Sequence, residues 1–243
     1  MSVMQTNAMP SVTTPNVQAP STPLTVAQAA AWAQTLSLPR LDAQVLLLHA
    51  LGHAPHDRAW LLAHGDDSLD TAAQATFAAH VQRRLNTEPV AYITGQKEFF
   101  GLTLHVDHRV LDPRADTETL VEWALSCLAD TPSPNVVDLG TGSGAIALAL
   151  KHTRPDAQVC AVDASADALA VASANADRMA LPMDFYHGSW LAPLNERVFD
   201  AIVSNPPYVA SDDAHLAALK HEPLSALASG VDGLDDIRTI VRQ

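Results

Sequence analysis

The stretch Val136-Val-Asp-Leu-Gly-Thr-Gly-Ser-Gly144 decides the fold of this chain. Two β-branched residues lead into Asp138, glycines then alternate with small polar residues, and an apolar helix-forming run follows over residues 145–150. This order is typical of a strand, a tight glycine loop and a helix. Because glycine has no Cβ, the loop can adopt positive φ and let a ligand approach the backbone at a helix N-terminus.

An acid follows the next predicted strand, residues 159–162, which ends at Asp163. An acid at this position of a βαβ unit is placed to hold both hydroxyls of a ribose, although it can also cap a helix. The Gly-x-Gly-x-Gly spacing differs from that of NAD-binding folds, and such a loop can also be a turn that binds nothing. The loop and the acid together favour nucleoside binding.

A third feature is the tetrapeptide Asn205-Pro-Pro-Tyr208, directly after residues 199–204, which are predicted to form a buried strand. With this tetrapeptide the chain resembles the class I S-adenosylmethionine methyltransferases that methylate planar amide or amino nitrogens. Strands beginning near Val136, Val159, Met183 and Ala201 alternate with helices. This alternation predicts an α/β fold with a Rossmann-like, doubly wound parallel sheet, whose ligands bind at the carboxyl edge.

Four parts are expected along the chain: a disordered tail over 1–22, a small N-terminal helical substrate-recognition domain over 23–88, a linking β-hairpin over 89–112 and a methyltransferase domain over 113–243. The tail is rich in Ser, Thr, Pro, Asn and Gln and lacks the features of a signal peptide. Helices are predicted over 41–51, 59–63 and 71–85, and Thr25 is a candidate cap of an earlier helix. In the hairpin, residues 90–94 and 99–106 are the predicted strands, with turns at Gly95 and Gly101.

The segment Glu88-Pro-Val-Ala-Tyr-Ile-Thr-Gly-Gln-Lys-Glu-Phe-Phe-Gly101, followed by Val110-Leu-Asp-Pro-Arg-Ala-Asp-Thr-Glu118, narrows the resemblance. These motifs look like those of the HemK-type release-factor glutamine methyltransferases, and the similarity runs from about Pro39 to the last residue. It implies methyl transfer from S-adenosylmethionine, with S-adenosylhomocysteine as product. The acceptor is the side-chain nitrogen of the glutamine in the Gly-Gly-Gln motif of class I peptide chain release factors.

The resemblance assigns the reacting amide to Asn205, Pro206, Pro207 and Tyr208. An amide nitrogen shares its lone pair with the carbonyl and is a poor nucleophile. The Asn205 side-chain carbonyl and the Pro206 backbone carbonyl can accept its two N–H groups, while the prolines stiffen the loop and Tyr208 lies against the amide face. The alternative is a rigid loop in which Asn205 only caps backbone.

For the cofactor, the resemblance implies the loop residues Gly140, Thr141, Gly142, Ser143 and Gly144. It also implies Asp163 at the ribose, Trp190 at the adenine side and Asn205 near the reacting centre. Core packing is the alternative for Trp190. Three weaker candidates, Arg114, Asp116 and Glu118, are equally compatible with a capped helix start, Asp116 being the predicted N-cap. No metal is expected, because the histidines at 49, 53 and 56 do not share one helix face and no acid or cysteine completes a site.

Composition limits the partners. The formal net charge of −13 argues against duplex DNA and permits a basic protein partner. The two cysteines, Cys127 and Cys160, are interpreted as buried free thiols. No apolar run is long enough to span a bilayer. We therefore expect a soluble cytoplasmic protein that acts as a monomer, without nucleic acid or membrane as a partner.

Three other functions remain open. The sister enzymes that methylate a glutamine of a ribosomal protein share Asn-Pro-Pro-Tyr but are not expected to carry the hairpin motif. A DNA adenine-N6 methyltransferase uses a similar loop but needs a basic surface. A non-catalytic module could keep the nucleoside pocket alone.

The end of the chain carries a further expectation. Class I methyltransferases resemble one another in a seven-stranded sheet, whereas four strands are recognisable here. A helix predicted from about Leu234 leads directly to Gln243. We therefore expect a C-terminally truncated sheet in which the strand ending at Ser204 lies at an open edge, with poor solubility and weak activity.

Overall fold

The computed structural model describes residues 20–243, so the predicted tail lies outside the described residues except at its last three positions. The described chain divides between Ile93 and Thr94 into two compact units. No described helix combines the length and the apolar character that crossing a membrane would require.

The N-terminal unit is built from four amphipathic helices: α1 (Val26–Thr35), α2 (Arg40–Ala50), α3 (Arg58–Ala63) and α4 (Thr71–Leu85). Thr25 caps α1 in a capping box with Gln28, as its residue type predicts. Leu46, Leu47 and Phe77 are among the fully buried side chains of a single apolar cluster. This unit therefore has a hydrophobic core of its own.

Residues 90–94 form a helix, α5 (Val90–Thr94), and the predicted strand at this position is wrong. The carbonyl of Pro89 accepts hydrogen bonds from the backbone N–H groups of Tyr92 and Ile93, which closes a helical turn. Proline favours the first positions of a helix. The consecutive residues 91–93 are all buried, a pattern that a half-exposed strand does not produce.

The hairpin is therefore shorter than predicted, with strands β1 (Gln96–Phe99) and β2 (Leu102–His105). The strands pair antiparallel, and Gln96 lies opposite His105. Phe100 and Gly101, which form the turn, both have positive φ, at 50° and 76°. Two such residues match the twist of a tight hairpin, so the predicted turn at Gly101 is confirmed.

The second unit contains a parallel four-stranded sheet: β3 (Asn135–Leu139), β4 (Gln158–Asp163), β5 (Asp184–His187) and β6 (Ala201–Ser204). The helices between and beside the strands are α6 (Glu118–Cys127), α7 (Ala145–Thr153) and α8 (Ala166–Met179), and α9 (Asp235–Arg242) follows later. The spatial order is β5-β4-β3-β6. The predicted α/β, Rossmann-like doubly wound fold is confirmed.

The strand order places a crevice at the carboxyl edge of the sheet. From β3 the chain adds β4 and β5 on one side and then returns to place β6 on the other side. The paired ends are level, since Leu139 lies opposite both Val162 and Ser204. The loops that leave β3 and β6 thus diverge from neighbouring positions, which is where open α/β sheets bind ligands.

Three local details differ from the predictions. Strand β6 lies at a sheet edge as expected, but it is only half-buried, and Ile202 is 49% exposed. A short 3₁₀ turn precedes α6, so Thr117 occupies the N-cap position in place of Asp116. Cys160 is buried whereas Cys127 is exposed, and both thiols are free.

Candidate active site

A cavity of about 350 Å³ opens at the carboxyl edge of the parallel sheet. Eight of the residues that the sequence singles out line it: Gly140, Thr141, Gly142, Ser143, Asp163, Trp190, Asn205 and Pro207. Gly144, Pro206 and Tyr208 are not among its lining residues in the described chain. The two predicted halves of the site, the glycine loop and the loop after β6, therefore open onto one space.

The three glycines of the loop have positive φ, between 57° and 83°, but their roles differ. A Cβ on Gly144 would lie 3.0 Å from Leu148 Cδ1, and one on Gly140 would lie 3.3 Å from the Trp190 ring. A Cβ on Gly142 would meet nothing within 4 Å. Gly144 is thus required for packing, whereas Gly142 leaves open space for a ligand against the backbone.

Asp163 shapes this loop as well as facing the cavity. Its Oδ2 accepts a hydrogen bond from the Gly142 N–H at 2.9 Å, and its Oδ1 accepts one from the Ser165 N–H at 2.8 Å. The cap of α8 is Ser165, whose hydroxyl oxygen accepts from the Ala168 N–H at 3.2 Å. Each carboxylate oxygen has a second acceptor position, so Asp163 can still accept hydroxyl groups of a ligand.

Asp138 lies beneath the loop and is completely buried. Its Oδ2 accepts a hydrogen bond from the Thr141 hydroxyl at 2.6 Å, while its Oδ1 has no hydrogen-bond partner among the described residues. Burial raises the pKa of this carboxyl to about 7, against the opposing effect of the Thr141 hydrogen bond. Below about pH 7 Asp138 is therefore mostly protonated, and it holds Thr141 with little buried charge.

Trp190 faces the cavity and also takes part in core packing. Its ring lines the cavity and packs against the apolar cluster that contains Val137 and Leu139. Its φ of 52° is unusual for a bulky residue. Such strain persists only where surrounding contacts hold the residue, here the ring packing against Gly140 and the core.

The loop after β6 is held through its backbone. The N–H of Val209 donates to the Leu227 carbonyl, and the Ser229 N–H donates to the Val209 carbonyl, both at 2.9 Å. A Cβ on Gly233 would lie 2.3 Å from the carbonyl oxygen of Tyr208, so only glycine allows this close approach. Tyr208 is 61% exposed and directly follows Pro207, which lines the cavity.

Two of the three weaker candidates, Arg114 and Glu118, hold other segments in place. Arg114 Nη2 lies 2.6 Å from Oε1 of Glu222, whose side chain is only 2% exposed. Glu118 Oε1 accepts the Phe100 N–H at 2.9 Å. Asp116 is exposed and makes no cap. The sequence analysis did not single out Glu222. A charged residue directly before a proline, as in His221-Glu222-Pro223, is the local pattern that could have drawn attention to it.

Arg109 lines the cavity and was not singled out from the sequence. Its guanidinium donates to both carboxylate oxygens of Asp107, at 2.9 Å for the Nε–Oδ1 pair and 2.7 Å for the Nη2–Oδ2 pair. These hydrogen bonds lower the pKa of Asp107 to about 2. The cation at the cavity wall is therefore held by a permanently ionised partner.

The residues present fit a nucleoside-containing cofactor. The backbone at Gly142 is open to the cavity, the Asp163 carboxylate retains acceptor positions, and the Trp190 ring supplies an apolar wall. Of the described residues, no three His, Cys, Asp or Glu side chains are grouped in a way that could hold a metal ion.

Comparison with known families finds two matches. Residues 115–226 match the model of the methyltransferase small domain, and residues 21–95 match that of the PrmC N-terminal domain.

Curated relatives cover most of the chain. A release factor glutamine methyltransferase of Coxiella burnetii is 47% identical over 206 residues, which span 84% of this chain and 73% of the relative. Proteins of the same description from Xylella fastidiosa and Escherichia coli are 50% and 41% identical, each over 86% of this chain and 76% of the relative. Among solved structures, the hMettl16 catalytic domain is similar at a TM-score of 0.48 and 16% identity, covering 67% of this chain and 61% of that one.

Proposed function

Since the chain belongs to the release factor glutamine methyltransferase family, we propose that it methylates the side-chain amide nitrogen of the glutamine in the Gly-Gly-Gln motif of class I release factors. The methyl donor is S-adenosylmethionine, and the modification acts on translation termination. The observation that carries the proposal is that the glycine loop and Asn205 line one cavity at the carboxyl edge of the sheet.

The cofactor would be held by the glycine loop, Asp163 and Trp190. When bound, S-adenosylmethionine supplies an electrophilic methyl group on a sulfonium. The open backbone at Gly142 gives room for close approach, and Asp163 accepts the ribose hydroxyls with the acceptor positions that its two backbone hydrogen bonds leave free. The Trp190 ring would exclude water from the adenine side.

Asn205 and the backbone of Pro206 would hold the target amide. The amide nitrogen is a weak nucleophile, so the site must orient it and stabilise the positive charge that grows on it. Carbonyl oxygens accept its two N–H groups without themselves titrating. The prolines at 206 and 207 restrict the loop, which keeps these acceptors in place before the substrate arrives.

Tyr208 would meet the substrate at the cavity mouth. Its exposed ring can lie against the amide and tolerate the growing cation. The backbone contacts of Val209 with Leu227 and of Tyr208 with Gly233 support this position. The strongly acidic chain also suits a basic protein substrate better than nucleic acid.

The test is transfer of labelled methyl from S-adenosylmethionine to four substrates offered side by side. These are a class I release factor, the same factor with alanine in place of the Gly-Gly-Gln glutamine, a ribosomal protein preparation and duplex DNA. We expect label in the intact release factor alone. Label in the ribosomal protein or the DNA, with none in the release factor, would overturn the proposal.

Asn205→Ala is the matched variant for this assay. We expect it to bind the cofactor with nearly normal affinity in calorimetry and to lose about a hundred- to a thousandfold in turnover, because one preorganised partner of the reacting amide is removed. Near-normal turnover would show that Asn205 does not hold the reacting group.

A further inference from the structure

The Asn205 side chain is held at one end only. Its Nδ2 donates a hydrogen bond to the Thr117 hydroxyl oxygen at 3.3 Å. In the part of the chain that the structure describes, no donor is hydrogen-bonded to Asn205 Oδ1. Thr117 and Asn205 both line the cavity, although 88 positions separate them in the sequence.

We propose that Thr117 is a positioning residue, which orients the Asn205 amide so that its carbonyl oxygen faces the nitrogen to be methylated. This inference rests on the function proposed above. It gives the segment before α6 a role in the reaction, in addition to starting the helix.

The orientation matters because the two ends of an asparagine amide have nearly the same shape but opposite hydrogen-bonding character. With Nδ2 on Thr117, Asn205 presents an acceptor to the N–H groups of the target. In the flipped orientation it would present an NH₂ group to another NH₂ group, and neither donor would be satisfied. The Thr117 hydroxyl can accept from Nδ2 or donate to Oδ1, so it holds the amide in place, and the orientation in the structure, with Nδ2 on Thr117, is the productive one.

Thr117 is well placed for this task because its segment is anchored on both sides. Arg114 holds the buried Glu222, and Glu118 holds the backbone N–H of Phe100 at the hairpin turn. The backbone N–H of Thr117 donates to the Arg114 carbonyl at 3.0 Å. These contacts fix the backbone, so the position of the hydroxyl does not depend on Asn205.

A structural role in helix capping does not account for the Thr117 hydroxyl. Thr117 occupies the N-cap position of α6, but its side chain makes no capping hydrogen bond. Its hydroxyl is hydrogen-bonded to Asn205 alone among the described residues. The contact therefore serves the loop after β6 and not the helix.

The experiment measures kcat and KM on a release factor, and the Kd of S-adenosylmethionine, for four single variants. Thr117→Val keeps the shape of the side chain and removes the hydroxyl, and we expect kcat to fall about tenfold with the cofactor Kd unchanged within about twofold. Thr117→Ser retains the hydroxyl, and we expect it to recover most of the lost kcat. Thr119→Val, at an exposed position of α6, is the matched control and should behave as the unmodified chain. The fourth variant is Asn205→Ala.

The double variant Thr117→Val/Asn205→Ala decides whether Thr117 acts through Asn205. Without the Asn205 amide there is nothing to orient, so the double variant should be no slower than Asn205→Ala alone. Three outcomes would each overturn the role of Thr117. In the first, the kcat losses of the two single variants multiply in the double variant. In the others, the serine variant is as slow as the valine variant, or the valine variant has an unchanged kcat. If the unmodified chain methylates no release factor, the proposed function is overturned, and the role of Thr117 with it.

Discussion

Asp163 illustrates how one residue can shape a loop and face its ligand. Its two carboxylate oxygens accept the N–H groups of Gly142 and Ser165. The lone pairs that remain are those available to a ribose. A sequence pattern identifies the acid, but only the hydrogen bonds show that the glycine loop also depends on it.

For Asp163→Ala we expect loss of measurable cofactor binding in calorimetry while the far-UV circular dichroism of the fold is retained. Both the ribose contacts and the tether of Gly142 disappear in this variant. Asp167→Ala removes the same charge from an exposed position in the first turn of α8 and is the control. Unchanged cofactor affinity in Asp163→Ala would exclude the ribose role.

Asp138 makes stability depend on pH in a direction opposite to that of most acids. Burial raises its pKa from 3.8 to about 7 in the folded chain. Between these two values the native state binds a proton that the unfolded state has released. The free energy of unfolding therefore contains a contribution that is fully present below about pH 4 and is lost as pH rises through about 7.

Asp138→Asn removes this titration, because asparagine stays neutral and its amide oxygen can still accept from Thr141. We expect the free energy of unfolding of the variant, relative to the unmodified chain, to increase between pH 5 and pH 8. Urea unfolding across this range, with Asp167→Asn as the exposed control, measures the difference. Parallel pH profiles for Asp138→Asn and the unmodified chain would contradict the raised pKa.

At the scale of elements, one buried side chain joins a helix, a hairpin and the glycine loop. Asn175 of α8 accepts from the backbone N–H of His105 at 2.8 Å and donates to its carbonyl at 3.0 Å. The same amide donates to the Ser143 carbonyl at 2.9 Å. The hairpin is thereby fixed to the loop that lines the cavity, and it belongs to the second compact unit.

Asn175→Ala should lower the free energy of unfolding by about 2–4 kcal/mol, because it leaves the buried Ser143 carbonyl and the part-buried backbone groups of His105 without these partners. Cofactor affinity should fall as well, since Ser143 is part of the cavity wall. Urea unfolding and calorimetry test the two expectations. Asp177→Ala, at an exposed position of the same helix, is the control, and a loss of similar size there would remove the special role of Asn175.

At the scale of the whole molecule, the two units differ in their chemistry. Each has its own apolar core, and every residue that lines the described cavity belongs to the second unit. The first unit matches the PrmC N-terminal domain model. Its assignment to substrate recognition stays a prediction, as do the individual roles of the site residues.

The sequence by itself determined the fold class, eight of the residues that line the cavity and, by resemblance, the methyltransferase family. These follow from local patterns: strand, glycine loop and helix around Gly140–Gly144, an acid at the end of the next strand, and a proline-stiffened loop after the last one. Strand order in a parallel sheet then brings these loops to one edge, because the carboxyl ends of parallel strands share it. These patterns involve residues that are close together in the chain, so they can be predicted without a structure.

Only the tertiary structure decided how the wall is held. Residues 90–94 are helical because burial and Pro89 outweigh their β-forming composition. The pairs Thr117–Asn205 and Arg114–Glu222 join positions 88 and 108 residues apart, and Asn175 reaches back 70 residues to His105. Side-chain hydrogen bonds of this range leave no periodicity in the sequence, because their geometry exists only after the sheet, the helices and the hairpin have packed.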